Sequence, residues 1–289
     1  MIVKIFLREK KLEKITLPFL ETMITQSCNL YCLGCTNYSD IPHKGYVSWN
    51  DGKKQIEEWI DKINIPDFGI MGGEPLINPE WKNWVIGVRE LMPKSQIRFT
   101  TNGLLLNKHP DIVDFFESIG NVVFKITVHI DDKSLENNIN KILDKKSWKS
   151  VTEFGIQRYK TNNNLRFQVN RPNKFIKTYK NSYSNMEPYH SDPKKAFKSC
   201  IQKTCPLLYN GRIYKCSTAG LLKDTLARFN YPNWNQWQQY ITNGIGPNDS
   251  LETIKEFVEN FGKHSSICSQ CPTTANLNHY SNVTKSYRK

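Results

Sequence analysis

The feature of this sequence that most constrains its fold is a regular alternation of strand-like and helix-like segments between residues 18 and 131. Short apolar runs that end at glycine, proline or polar residues alternate with longer segments whose apolar residues recur at helical spacing. This order is typical of parallel strands with helices packed outside them. The sequence therefore predicts an α/β fold built around a parallel sheet.

Four strands and three helices are predicted within this stretch. The strands lie in PFLETMITQ (18–26), DFGIMGGEP (67–75), QIRFTTNG (96–103) and NVVFKITVHID (121–131). The helices lie in VSWNDGKKQIEEWIDKI (47–63), capped by Ser48, in NPEWKNWVIGVRELMP (78–93), capped by Asn78, and in HPDIVDFFESIG (109–120), which runs from Pro110 to Gly120. The pattern then weakens, and LRFQVN (165–170) is predicted as one more strand.

Unusual loops follow three of these strands. The first loop holds Cys28, Cys32 and Cys35 within eight residues, the second reads GGEP (72–75), and the third reads TTNG (100–103). The fourth strand ends at His129 and Asp131. Because the carboxyl ends of parallel strands open onto one rim, we expect these segments to lie together and to form the functional site.

This combination of CNLYCLGC (28–35) with GGEP and TNG at strand ends resembles the radical S-adenosylmethionine (SAM) superfamily. The resemblance implies a partial (β/α)6 TIM-like barrel. It also implies that Cys28, Cys32 and Cys35 bind three irons of a 4Fe-4S cluster, whose fourth iron is chelated by SAM. An electron from the cluster would cleave SAM to methionine and a 5'-deoxyadenosyl radical, which takes a hydrogen atom from the substrate.

The resemblance further implies contacts with SAM at the ends of the later strands. Gly72, Gly73 and Glu74 would meet the SAM ammonium, and Asn102 would face the ribose or the carboxylate. His129 and Asp131 are assigned with equal weight to a structural role or to a contact with SAM or substrate.

Other uses of the cysteines are open from the residues alone. A zinc knuckle completed by His43 would supply the four ligands that zinc prefers, and three ordinary loop cysteines are a further alternative. The eight cysteines would also suit four disulfides. Clustered cysteines in an intracellular chain nevertheless favour metal binding or catalysis.

The remaining five cysteines all follow residue 199, and they are Cys200, Cys205, Cys216, Cys268 and Cys271. The first three surround a hairpin predicted to turn at Asn210-Gly211, and the last two form a CxxC motif. This part resembles the cysteine-rich C-terminal extension of many radical SAM enzymes, of the twitch or SPASM type. The resemblance implies one auxiliary 4Fe-4S cluster, and the short length favours twitch.

Five thiols exceed the four corners of one cluster. Cys216, Cys268 and Cys271 are the preferred ligands, and Cys200 and Cys205 compete for the remaining coordination or share it. A zinc ribbon built from the same residues is the alternative. The predicted organisation is an N-terminal β-hairpin (1–17), the partial barrel (18–190) and a small twitch-like extension (191–289).

Charge gives information about the substrate. The chain carries a net charge of +13, and residues 158–180 contain seven basic residues, no acidic ones, and the aromatic residues Tyr159, Phe167, Phe175 and Tyr179. Such a stretch favours an anionic partner, which includes a phosphorylated small molecule, a sugar, a nucleotide or nucleic acid. A solvated edge strand of a generally basic protein is the alternative interpretation.

Composition sets the remaining expectations. The mean hydropathy of -0.57, and the lack of an apolar run near the roughly 20 residues that cross a bilayer, predict a cytoplasmic protein without a membrane partner. We predict an enzyme that cleaves SAM and oxidises or modifies an anionic small molecule, with flavodoxin or ferredoxin as the reductant that the resemblance implies. A radical SAM peptide maturase and a non-catalytic zinc or iron-sulfur nucleic-acid-binding protein are the alternatives. No single residue stands out as a catalytic acid, base or radical relay.

Overall fold

The computed structural model describes most of the chain. The described residues are 14–33, 35–41, 43–145, 148–153, 156–160, 165–172, 174–229, 234–274, 277–278 and 283–285. Most of the predicted N-terminal hairpin therefore lies outside the described residues. No described helix is both long enough and apolar enough to cross a bilayer.

Strands and helices alternate through the first half, as the sequence predicts. The strands are β1 (Ile15–Thr16), β2 (Leu20–Met23), β3 (Leu30–Cys32), β4 (Ile63–Asn64), β5 (Asp67–Met71), β6 (Gln96–Thr101), β7 (Val122–Thr127), β8 (Lys149–Glu153), β9 (Ile156–Lys160), β10 (Arg166–Asn170), β11 (Lys174–Phe175), β12 (Leu207–Tyr209), β13 (Arg212–Tyr214), β14 (Leu277–Asn278) and β15 (Val283–Lys285). The α-helices are α1 (Trp49–Ile60), α2 (Trp81–Leu91), α3 (Ile112–Ile119), α4 (Lys133–Lys145), α5 (Pro193–Ser199), α6 (Ser217–Phe229), α7 (Trp234–Trp237) and α8 (Leu251–Glu259).

One large sheet organises the chain, in the order β13-β12-β2-β5-β6-β7-β10-β9-β8. The six strands from β12 to β10 run parallel, and antiparallel strands flank them on both sides. Within the described residues, the edge strands β13 and β8 do not pair with each other. The fold is thus the expected α/β arrangement, consistent with a partial barrel that is open on one side.

The two faces of the sheet differ in chemistry. Alternate residues such as Phe68, Phe99, Phe124 and Phe167 are fully buried against the helices and form the main apolar core. The other face carries polar and charged residues such as Arg98, Thr100 and Lys125, because side chains alternate along a strand. The sheet therefore presents a polar inner face to the interior of the partial barrel.

Two of the four predicted helix limits hold, those at Ser48 and Gly120, and α3 begins at Ile112 rather than at Pro110. Ser48 caps α1 by accepting a hydrogen bond from the backbone N–H of Asp51, and Gly120 ends α3 with a φ of 69°. The Asn78 cap is wrong, because α2 begins at Trp81. The fully buried Asn78 side chain instead donates to the carbonyls of Ile24 and Val47, which ties the loop after β5 to the first strand.

The hairpin at Asn210-Gly211 forms as predicted, but it belongs to the main sheet. Both turn residues have positive φ, at 49° and 74°, and β12 pairs in parallel with β2. The predicted extension from residue 191 therefore begins with strands of the barrel sheet itself. A further strand from the C-terminal region, β15, pairs with β3 inside the first cysteine loop.

Candidate active site

The first three cysteines line one cavity at the carboxyl ends of the parallel strands. The loop after β2 contributes Cys28, Cys32 and Cys35, and the loops after β5 and β6 contribute residues to the opposite wall. The cavity encloses about 770 Å³, including its open mouth. Its remaining lining residues are Leu30, Thr36, Asn37, Ser39, Asp40, Met71, Gly72, Gly73, Thr100, Thr101, Asn102, Thr127, His129 and Ile201. The sequence-predicted loops therefore meet at one rim.

Backbone hydrogen bonds fix the second half of the cysteine loop. The N–H of Cys35 donates to the carbonyl of Cys32 at 2.9 Å, and the N–H of Tyr38 donates to the carbonyl of Cys35 at 2.9 Å. Tyr38 is fully buried and stacks on Tyr179, whose hydroxyl donates to the buried carboxylate of Asp40. The cysteines are thus held by a rigid turn rather than by a free loop.

Burial governs the acidity of these thiols. It raises the pKa of Cys32 well above its usual value and that of Cys35 to about 11, and the nearby Asp40 acts in the same direction at both thiols. Cys32 is only 8% exposed. Since metals bind thiolates, a bound cation would be needed to stabilise the ionised form of these thiols in this setting.

Gly72 and Gly73 are required because their backbone lies directly against the segment that leads into Cys28. A Cβ added at Gly73 would lie 2.3 Å from the carbonyl oxygen of Ser27, and one added at Gly72 would lie 2.6 Å from that of Thr25. The N–H of Gly73 donates to the Thr25 carbonyl at 2.7 Å. The two glycines thus bring the loop after β5 and the cysteine loop together along one wall of the cavity.

Glu74 lies behind the cavity wall rather than in it. Its side chain is fully buried, and its carboxylate accepts hydrogen bonds from the Thr101 hydroxyl at 2.6 Å, the Asn102 N–H at 2.7 Å and the Leu76 N–H at 3.1 Å. Burial raises its pKa to about 7, which these three donors partly oppose. In this arrangement Glu74 joins the loops after β5 and β6, and it does not line the cavity where the SAM ammonium was expected.

Of the remaining residues predicted to contact SAM or substrate, two line the cavity and one does not. Asn102 lines the cavity, and its side-chain amide donates to the side-chain oxygen Oδ1 of Asn29 at 2.7 Å and approaches the Cys28 sulfur at 3.8 Å. His129 also lines the cavity. Asp131 is exposed and is absent from the cavity lining.

His43 is positioned away from the three cysteines. One ring nitrogen contacts the Tyr38 carbonyl at 3.0 Å, and the other accepts from the Arg228 guanidinium at 2.5 Å. The ring is buried and does not line the cysteine cavity. The zinc knuckle completed by His43 is therefore wrong, since both of its ring nitrogens are engaged elsewhere.

Four of the five later cysteines line a second cavity. Cys200 follows α5, Cys216 follows β13, and Cys268 and Cys271 lie on a short turn over residues 266–271. This turn is fixed to the chain before α5, because the N–H of Ser191 donates to the Ser269 carbonyl at 2.8 Å. The cavity encloses about 570 Å³ and is lined mainly by apolar atoms.

Burial raises the pKa of several of these thiols, as in the first cavity. The pKa of Cys216 rises to about 12, and that of Cys271 rises well above its usual value. Burial also raises the pKa of Cys200, which Lys203 and Lys215 partly oppose. Within the described ranges, no three His, Cys, Asp or Glu side chains are grouped as ligands of one metal ion. A set of four thiols around one cavity is the donor set that iron-sulfur clusters take.

Cys205 is placed apart from the other four. It does not line the second cavity, and its thiol interacts electrostatically with Glu21, Lys125 and Arg98 on the inner face of the sheet. Burial, followed by Glu21, raises its pKa to about 12. Residue spacing could not separate Cys205 from Cys200, because the two lie five positions apart and the choice depends on the fold.

The two cysteine cavities share a wall. Thr36 and Ile201 line both of them. The Ile201 side chain is 62% exposed, which is unusual for a large apolar residue. The cavities are therefore direct neighbours, a relation that the sequence alone did not predict.

The Radical SAM superfamily model matches residues 22–157, which contain all three loops of the first cavity. Residues 22–157 are therefore a radical SAM domain. Radical SAM domains use a 4Fe-4S cluster and SAM, and Cys28, Cys32 and Cys35 lie within the matched residues.

Curated relatives match part of this chain. A GTP 3',8-cyclase of Thermodesulfovibrio yellowstonii is 26% identical over 48% of this chain and 40% of its own length. A GTP 3',8-cyclase of Aliarcobacter butzleri is 31% identical over 31% of this chain and 28% of its own length. The chain thus matches less than half of either relative.

One solved structure covers nearly the whole chain. The crystal structure of BtrN in complex with AdoMet and 2-DOIA has a TM-score of 0.50 with 13% sequence identity, and it covers 94% of this chain and 100% of that one. At this identity the likeness concerns the fold alone. It includes the region after residue 190, where the family model does not match.

The basic stretch of the chain divides between the two faces of the sheet. Phe167 and Tyr179 are fully buried, and Tyr159 packs against Phe167 in the apolar core. Arg166 lies opposite Lys160 in the register of β10 and β9, so both project from the inner face. Arg166 and Lys160 therefore lie on the inner face of the sheet, whereas these three rings are occupied in packing.

Proposed function

We propose that this enzyme cleaves SAM reductively and abstracts a hydrogen atom from an anionic small molecule, sugar or nucleotide-type substrate, with net oxidation of that substrate. The observation that carries this proposal is the pair of adjacent cavities, one lined by three thiols and the other by four. Three thiols leave one iron of a cluster open for SAM, whereas four thiols complete a closed cluster.

In the first cavity, Cys28, Cys32 and Cys35 would hold the catalytic cluster. When bound, this cluster supplies the electron that breaks a sulfonium C–S bond of SAM, and the resulting 5'-deoxyadenosyl radical takes one hydrogen atom from a substrate C–H bond. Asn102 and His129 line the space beside the cysteines and supply polar contacts for SAM. Glu74 positions Asn102 by accepting its backbone N–H.

In the second cavity, Cys200, Cys216, Cys268 and Cys271 would hold an auxiliary 4Fe-4S cluster, with Cys205 left free. A cluster with four thiolates has no open iron for the substrate, so its chemistry would be to accept the electron that a net oxidation releases. The wall shared through Thr36 and Ile201 supports this role, because a short path favours electron transfer between the two cavities.

An anionic substrate is supported by the cations on the inner face of the barrel, among them Arg98, Lys125 and Arg166. The curated relatives named above carry the name of an enzyme that acts on GTP, which makes nucleotides the first compounds to test. The peptide maturase and nucleic-acid-binding alternatives have no comparable support among the described residues.

Formation of 5'-deoxyadenosine from SAM tests this proposal. The protein is reconstituted anaerobically with iron and sulfide, reduced with dithionite and incubated with SAM, first without substrate and then with a panel of nucleotides and phosphorylated sugars. We expect 5'-deoxyadenosine in the native protein and none in Cys32→Ala. An active Cys32→Ala protein, or a native protein that is inactive with every compound despite a full iron content, would refute the proposal.

A further inference from the structure

The inner face of the barrel carries a charged cluster that includes two of the cations named above, Arg98 and Lys125. It consists of Glu21 on β2, Arg98 on β6, Lys125 on β7 and the thiol of Cys205, and it is called the lumen cluster below. Glu21 interacts electrostatically with Lys125 and Arg98, and Cys205 interacts with all three. Four side chains from separate segments of the chain therefore converge inside the barrel.

The register of the sheet places the lumen cluster directly beneath the first cavity. Lys125 lies opposite Thr100 and two residues before Thr127, and both threonines line the cavity. Residues two apart on a strand share one face and lie roughly 7 Å apart. Lys125 therefore lies one step below the cavity wall, within reach of a ligand that extends down from SAM.

Glu21 lies on β2 one row deeper than Lys125, in the same register row as Arg98. It lies opposite Gly69, which is two residues before the cavity residue Met71. A Cβ added at Gly69 would lie 2.9 Å from the Cβ of Glu21, so the glycine provides the space that the Glu21 side chain occupies. Glu21 is 8% exposed, and its carboxylate forms no hydrogen bond or ion pair with the described residues.

The cations of the lumen cluster differ in how they are neutralised. Arg98 donates to the Asp67 carboxylate at 2.6 Å. The ammonium group of Lys125 forms no hydrogen bond or ion pair with any residue that the structure describes. Burial lowers its pKa, and Arg98 acts in the same direction. Lys125 is half-buried. Because an ammonium group withdrawn from water without an ion-pair partner is unfavourable, a ligand that supplies an anion would explain its position.

The surrounding inner face is also positive. Arg166 shares a register row with Arg98, and Lys160 and Arg158 on β9 continue the same face toward the open edge of the sheet. Such a row of cations attracts a multiply charged anion and steers it toward the barrel interior. A phosphoryl group suits this positive electrostatic potential better than a carboxylate does, because it carries more negative charge.

We propose that the lumen cluster binds a phosphorylated substrate, with Lys125 bound to its phosphoryl group and Glu21 accepting hydrogen bonds from its hydroxyl or amine groups. This inference rests on the proposed function, because it names the substrate class of the same site. It also gives Lys125 and Glu21 roles that are separate from cluster and SAM binding.

Binding of inorganic pyrophosphate and GTP to the reconstituted full-length protein tests this site. Titration calorimetry is carried out without SAM or reductant, so failure of SAM cleavage would not affect the result. We expect both compounds to bind the native protein, and Lys125→Met to weaken binding by roughly ten- to a hundredfold, the range for one hydrogen bond to a charged group. Lys125→Arg should recover most of the affinity, and the exposed control Lys94→Met should bind as the native protein does.

Chemical labelling provides a measurement in the native protein that does not depend on how the variants fold. We expect pyrophosphate to protect Lys125 from an amine-reactive reagent, as read by mass spectrometry, and to leave Lys94 equally reactive. The absence of pyrophosphate and GTP binding to the native protein, equal binding by a folded Lys125→Met protein, or unchanged labelling of Lys125 would each overturn the proposal.

Discussion

The buried carboxylate of Glu74 gives the sharpest test of how the site is built. In Glu74→Gln, one carboxylate oxygen becomes an NH2 group. The least costly orientation keeps the remaining oxygen on Thr101 and Leu76, so the NH2 group faces the Asn102 N–H and two donors meet. One hydrogen bond is lost and a buried N–H is left without an acceptor.

The expected cost is about 1–3 kcal/mol, the usual penalty for a buried donor without a partner. In a chain of this size, each kcal/mol lowers the melting temperature by roughly 2–4 °C. The assay is thermal unfolding of the anaerobic protein at one fixed scan rate, with the exposed Glu90→Gln as the matched control. SAM binding should weaken as well, because the displaced segment includes Asn102.

A melting temperature for Glu74→Gln within about 1 °C of that of Glu90→Gln would refute this reasoning, since even the low end of the range predicts a larger shift. A normal melting temperature together with lost SAM binding would indicate that Glu74 contacts SAM directly, which is the role expected from the family resemblance.

Three further predictions follow from the same contacts. After reconstitution, Cys216→Ala should contain about four irons per chain fewer than the native protein, whereas Cys205→Ala should contain as many as the native protein. Iron and sulfide analysis measures the difference, and equal losses in the two variants would contradict the four-cysteine assignment. Gly73→Ala should be destabilised by about 1–3 kcal/mol through the overlap with the Ser27 carbonyl and should bind SAM poorly, as measured by denaturant unfolding and by titration. Burial raises the pKa of Glu21 from 4.5 to about 8 in the folded protein, so its contribution to stability is full below pH 4.5 and is lost as the pH rises through 8. The denaturant midpoint should therefore decrease between about pH 5.5 and about pH 8.5 by less in Glu21→Gln than in the native protein. An identical decrease in the two proteins would show that Glu21 does not titrate in this way.

Local patterns predicted much of the fold and the location of the site. The spacing of Cys28, Cys32 and Cys35 needs only a single loop, and the strand ends that carry Gly72 and Asn102 follow from apolar runs bounded by turn residues. The parallel order then predicts that these loops meet. Each of these inferences depends on short-range sequence or on a general rule of sheet topology.

The parts that sequence did not predict depend on contacts between distant segments. Glu74 has the residue type of a ligand for an amine, but three donors from elsewhere in the chain occupy its carboxylate. Asn78 resembles a helix cap but is used to join two loops. The separation of Cys205 from Cys200 follows from the pairing of β12 with β2, which local spacing does not reveal.

That pairing also limits how this protein can be divided. Because β12 and β13 extend the barrel sheet beside β2, the region that carries the second set of cysteines begins inside the hydrogen-bonded framework of the first. Removing it would expose the edge of β2, the strand that leads into the first cysteine loop. The C-terminal region is therefore not a detachable module, and the two cysteine sites are expected to be gained, lost and inherited together.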